Sequence, residues 1–153
     1  MTIEEKNIEI SEMIGCFVRE PDKHSKNDIP VEIPDRFGFY CEGFGYSQNP
    51  KSKKKLIHFL FDKPGMRGEP INWSYSKNLQ FDSNADWQDE TINFVEKDLG
   101  YQVETKQNEV LILNPYKKYV VKCSDVNKTR KEIMFDALFQ LSQYIKKQSE
   151  NKV

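Results

Sequence analysis

Gly45-x-x-x-x-Pro50-Lys51-Ser52 stands one residue away from the phosphate-binding pattern GxxxxGK[ST]. Such a loop works because consecutive backbone N–H groups point at the phosphates and a helix begins at the lysine. Pro50 takes the place of the glycine, has no N–H to give, and biases Asn49 toward extended backbone. After Ser52 comes KKKLIHFLF, a β-rich apolar run, where a helix N-terminus is needed. Both requirements fail. Ser47-Gln48-Asn49-Pro50 is good turn chemistry, so this stretch reads as the solvated basic tip of a hairpin.

Glu104-Thr105-Lys106 has the E-x-K spacing of metal-dependent nucleases, with Asp98 or Asp86 as a second carboxylate. Two acids would hold Mg²⁺ and the lysine would polarise water. Glu/Lys alternation on an exposed strand face is equally ordinary, and Lys106 falls at a turn. Cys16, Cys41, Cys123, His24 and His58 are the soft metal ligands available, but they lack the close pairing of a structural zinc site. Three cysteines without a CxxC read as reduced, mostly buried thiols. No metal and no cofactor is expected.

Arg36-Phe37-Gly38-Phe39-Tyr40, with Phe44 and Tyr46, invites a nucleic-acid reading. Aromatic side chains on a sheet stack bases, and a lysine loop holds phosphates. The residues that would carry it are Tyr40, Lys51, Lys53, Lys54 and Lys55. Against it stands the charge: 23 basic and 24 acidic side chains give a net charge of −1. Nucleic-acid binding usually draws on a basic excess to displace counterions.

These residues must be positioned by a chain of 153 residues, 37% hydrophobic and 12% aromatic, long enough for one domain with its own core. No apolar run reaches the ~20 residues of a membrane span. The start is acidic and amphipathic, so a cytoplasmic location is expected.

Thr2-x-x-Glu5 forms a capping box before a first helix that Gly15 ends. Residues 19 to 36 form a long loop, with an extended stretch at Ile29–Ile33. Phe37–Tyr46 and Leu56–Phe61 read as paired strands, residues 62 to 78 as irregular, and Leu79–Phe81 as a short strand. Ser83-x-x-Asp86 caps a second helix whose apolar stripe is Trp87, Thr91, Phe94, Val95 and Leu99, and Gly100 closes it. Tyr101–Thr105, Glu109–Leu113 and Lys118–Cys123 are strands joined by turns too short for anything but an antiparallel meander. Thr129-x-x-Glu132 caps a final helix with the stripe Ile133, Ala137, Leu138, Leu141 and Ile145, and a lysine-rich tail frays from about residue 147.

Three segments carry a resemblance. They are ISEMIGC (Ile10–Cys16), FDSNADWQDETINFVEKDLGY (Phe81–Tyr101) and TRKEIMFDALFQLSQYIKKQ (Thr129–Gln148). In type and order they resemble the IAEFMG, YHSSWDWLMPVVEKIESLGY and KIEAVYNAVVEFIKWYN segments of a group of small uncharacterised proteins from phages and mobile elements of Bacteroidetes-type bacteria. Asn84-Ala85 depart from that pattern, where its first tryptophan would stand. The resemblance implies an origin and a layout; it implies no catalytic residue.

The expected fold is therefore α+β: one domain over residues 1–153, with an antiparallel sheet of about five strands and helices on one face. It ends in a three-strand meander and a C-terminal helix. The expected role is a small non-enzymatic accessory protein that binds another protein or a second copy of itself. Two surfaces compete for that partner. One is the apolar strip of Phe135 and Phe139, which lie one turn apart beside the final helix's main stripe; burial of that strip on two sides is the favoured alternative. The other is the lysine loop, which serves the nucleic-acid alternative. Neither ATP nor GTP should bind. Equilibrium dialysis with Mg²⁺ should show no retention, and tight binding abolished by Lys51→Ala would overturn the hairpin-tip reading.

Overall fold

A computed structural model describes residues 1–18, 30–33 and 72–150. The expected hairpin of Phe37–Tyr46 and Leu56–Phe61 lies outside the described residues, and with it Tyr40, Lys51, Lys53, Lys54 and Lys55. The chain divides into two compact units. The first joins Met1–Ile14 to Gln80–Val153, and the second is Gly15–Leu79.

The described elements make an α+β protein. In chain order they are α1 (Ile3–Met13), β1 (Phe17–Val18), β2 (Pro30–Ile33), β3 (Asn72–Tyr75), a 3-10 turn (Ser76–Asn78), α2 (Ala85–Lys97), β4 (Gln102–Lys106), β5 (Glu109–Leu113), β6 (Tyr119–Ser124) and α3 (Arg130–Glu150). The described strands form two antiparallel three-stranded sheets, β1-β2-β3 and β4-β5-β6; the expected single sheet of about five is not seen among the described residues. No described helix is long and apolar enough to cross a membrane.

The second unit holds the smaller sheet. The extended stretch at Ile29–Ile33 is present as β2, which begins on Pro30, the strand position where a missing N–H does least harm. β2 runs between β1 and β3, with Val31 buried opposite Ser74. Leu79–Phe81 is not a strand. Asn72–Tyr75 takes that role, and Leu79 and Phe81 are buried in the turns that follow it.

In the first unit, capping sets each helix start. Thr2 and Glu5 form a reciprocal capping box on α1. Thr129 and Glu132 do the same on α3, the Glu132 N–H donating to Thr129 Oγ1 at 3.2 Å. Those bonds hold the Glu132 carboxyl below its ordinary range. On α2 the cap is Asn84 rather than Ser83: Asn84 Oδ1 accepts from the N–H groups of Asp86 and Trp87. Asn and Ser are near-equal caps, and the N–H groups of both Ser83 and Asn84 go to Gln80 O in the preceding turn.

The core lies between α3 and one face of the β4-β5-β6 meander. Val110 pairs with Cys123 and Ile112 with Val121, so these four share a face, and all four are buried. On α3, Ile133, Ala137, Leu138 and Leu141 are buried as expected. Phe135 is buried as well, at 6% exposure, so it belongs to the core and is not part of a free strip. Phe139 is half-buried, with the Lys6 ammonium of α1 5.2 Å above its ring. α3 keeps helical geometry to Glu150, but every residue from Lys146 on is exposed, so the packed part ends at Ile145.

Polar ties close the unit. Gln88 is buried, and its Nε2 donates both to Phe81 O at 2.8 Å and to Lys131 O at 3.0 Å. Asn7 Nδ2 donates to Asp82 Oδ1 at 3.0 Å, fixing α1 to the turn before α2. Gly100 follows α2 at φ +77°, where a side chain would be strained, and the Tyr101 N–H then reaches back to Val95 O.

Trp87 is only 1% exposed and meets Phe81 edge-to-face, with ring centroids 5.1 Å apart. Trp87→Ala should cost about 3–5 kcal/mol, read from urea denaturation with unchanged slope. A variant that unfolds with the parent's midpoint would remove the ring from the core.

Candidate binding site

The residues singled out for catalysis do not assemble one. Glu104 and Lys106 share a strand face, but Glu104 Oε2 accepts a hydrogen bond from the Tyr119 hydroxyl at 3.4 Å. Among the described residues no group of three or more His, Cys, Asp or Glu side chains could hold a metal ion. Cys123 faces α3 beside Asp136. Burial, then the Asp136 charge, push its thiol up, with Lys128 opposing more weakly. A raised thiol is a poor nucleophile. Cys41, His24 and His58 lie outside the described residues.

The turn between β5 and β6 is more informative. Asn114 precedes Pro115, the pairing a type I turn prefers at its first two positions. The Lys117 N–H donates to Asn114 O, and the Asn114 N–H to Lys118 O, both at 2.8 Å. Asn114 Oδ1 accepts from the Tyr116 N–H at 3.0 Å and the Lys118 N–H at 2.9 Å. Pro115 has no N–H, so every backbone donor from Asn114 to Lys118 is used inside the turn. The tip is stiff, and it presents side chains rather than backbone amides.

Those side chains are Tyr116, Lys117, Lys118 and Tyr119, all exposed. Tyr116 is 84% and Tyr119 59% exposed, high values for rings. Tyr119 sits on β6, and its hydroxyl reaches Glu104 on β4, so its ring lies across the central strand β5. Leu111 and Leu113, on that outer face of β5, are buried as well. Lys122 is exposed on the same face, opposite Leu111.

Sequence reasoning treated Asn114-Pro115-Tyr116 as a turn and passed over its side chains. The usable signal was local: two tyrosines bracketing two lysines directly after Asn-Pro. At the other end of the meander, an open hollow of about 390 Å³ lies between the β4–β5 turn and Ser124–Val126. Its lining includes Lys106, Glu109 and Asp125, and the Asp125 carboxylate is already occupied by the Asn127 N–H at 2.8 Å.

Iodoacetamide should modify Cys123 at least about tenfold more slowly in the native protein than in urea, since the thiolate is both scarce and covered. Mass spectrometry of the Cys123 peptide reads this directly; equal rates would mean the thiol is open and reactive. No protein-family model matches the chain, and no curated protein or solved structure matches it either.

Proposed function

We propose that this is a small non-enzymatic accessory protein, of the phage or mobile-element kind its sequence resembles, and that it acts by binding another protein. The observation that carries the reading is the stiff β5–β6 tip with its two exposed tyrosines. Exposed aromatic rings on a preordered backbone are the usual anchors of protein interfaces, because they bury much area and lose little side-chain entropy. The expected docking strip on α3 is given up in its favour, since Phe135 is in the core.

The test is capture. Immobilised parent protein and a Tyr116→Ser, Tyr119→Ser double variant are offered the same nuclease-treated cell extract. The parent should retain a specific protein, and the double variant about tenfold less of it, as expected for losing two anchor rings. The double variant should lose no more than about 1 kcal/mol of stability, since both rings are mostly exposed and the Tyr119–Glu104 bond is a surface one. Equal capture by the two would remove the tip from the reading. Capture by the parent from an untreated extract that is lost from the nuclease-treated one would replace the protein partner by a nucleic acid.

A further inference from the structure

The β5–β6 connection is a three-residue loop, Pro115-Tyr116-Lys117, closed by the Asn114–Lys118 pair. In such loops a type I turn is followed by one left-handed residue, and that residue is normally glycine. Here it is Lys117, at φ +63°. A left-handed lysine is a conformational cost to the fold. The Lys117 side chain does not offset it among the described residues, where its ammonium makes no hydrogen bond or ion pair. The Lys118 ammonium makes none either. Two exposed lysines, adjacent in sequence and with no ammonium partner among the described residues, thus stand between two exposed tyrosines, one of the lysines at a position that normally takes glycine.

We propose that the partner engages this tip with an acidic segment. Its carboxylates meet Lys117 and Lys118, and a neighbouring apolar or aromatic side chain packs on Tyr116 and Tyr119. The proposal rests on the reading of the tip as the docking element and names the chemistry of what docks.

A peptide fits better than a single-stranded nucleic acid for two reasons. Phosphates are commonly gripped by backbone N–H groups, and those of this tip are all spent within the turn. A nucleic acid also carries a charge at every nucleotide, so it needs a basic track that continues beyond the tip. The Glu104 carboxylate sits instead at the Tyr119 hydroxyl, 3.4 Å away, and interrupts any such track. A peptide can place two carboxylates at the lysines and none beside Glu104.

Fluorescence anisotropy with three labelled probes tests this. The first is a short peptide with two adjacent glutamates followed by Leu-Phe. The second is the same peptide with glutamines for the glutamates, and the third is a single-stranded oligothymidylate. At low salt the acidic peptide should saturate the parent protein, and the glutamine peptide should bind about tenfold more weakly. Lys117→Gly should also bind the acidic peptide about fivefold or more weakly, while melting no lower than the parent. Lys117→Arg should bind like the parent. A Lys117→Gly variant that binds normally overturns the proposal, and so does one that melts lower, because the lysine would then be serving the fold. Tighter binding of oligothymidylate than of the acidic peptide overturns it in favour of a nucleic acid. If no peptide binds while tip-dependent capture from extract persists, the acidic chemistry is wrong and the docking element stands. If capture too is indifferent to the tip, both readings fall.

Discussion

The stripe Ile133, Ala137, Leu138 and Leu141 of α3 is shut away from solvent, and its helix is shared by the rest of the first unit. α3 packs on β5 and β6, on α1, and on α2. Each fully buried aliphatic side chain is worth about 1.5–3 kcal/mol relative to exposure, so the stripe outweighs any single polar tie in the unit. β5 has buried residues on both faces, and α3 packs on one of them. A central strand with buried residues on both faces leaves its turn little room to move.

The polar groups inside this core do a different job. Hydrophobic burial is non-directional, so it does not by itself decide how α2 meets α3. Gln88 decides it by donating to two carbonyls 50 residues apart in sequence, Phe81 O and Lys131 O. Removing that amide would break both bonds, and at the buried one it would leave Phe81 O short of a donor, which costs more than the bond itself contributes. Asn7 with Asp82 plays the same part for α1. The surface pairs Lys128–Asp136 and Lys146–Glu9 are too exposed to add much.

What was legible in the sequence was local. Both capping boxes, the meander, the extended stretch at β2 and the α3 stripe follow from short-range spacing, and each is present. Asn84 rather than Ser83 is the cap because neighbouring residues of near-equal capping strength are not separated by propensity, and the helix start one residue later is set by packing beyond the local sequence. Phe135 shows the limit more sharply. Its spacing from Phe139 announces a second apolar line on α3, but whether that line is covered depends on α1, which lies more than 100 residues away in the chain. Cross-strand neighbours raise the same difficulty: nothing near Tyr119 in sequence says that its hydroxyl ends on Glu104. The candidate chemistry in the chain suffered from the reverse error. Glu104 and Lys106 have the right spacing, yet a site needs groups from several elements to converge, and spacing within one strand cannot show that.

The tip of β5–β6 differs from these cases because its local and its global signals disagree. Everything in Asn114-Pro115 specifies a tight turn, and the turn is satisfied to its last N–H. The residues that follow specify something other than stability. A glycine at 117 would relieve the left-handed strain, and polar residues in place of Tyr116 and Tyr119 would keep two rings out of water. Sequences that fold well usually agree with themselves at every level, and a site where they do not is where function is most economically sought. In the described part of this chain the left-handed lysine between two exposed tyrosines is the clearest such disagreement, and it sits on a turn whose backbone N–H groups are all hydrogen-bonded.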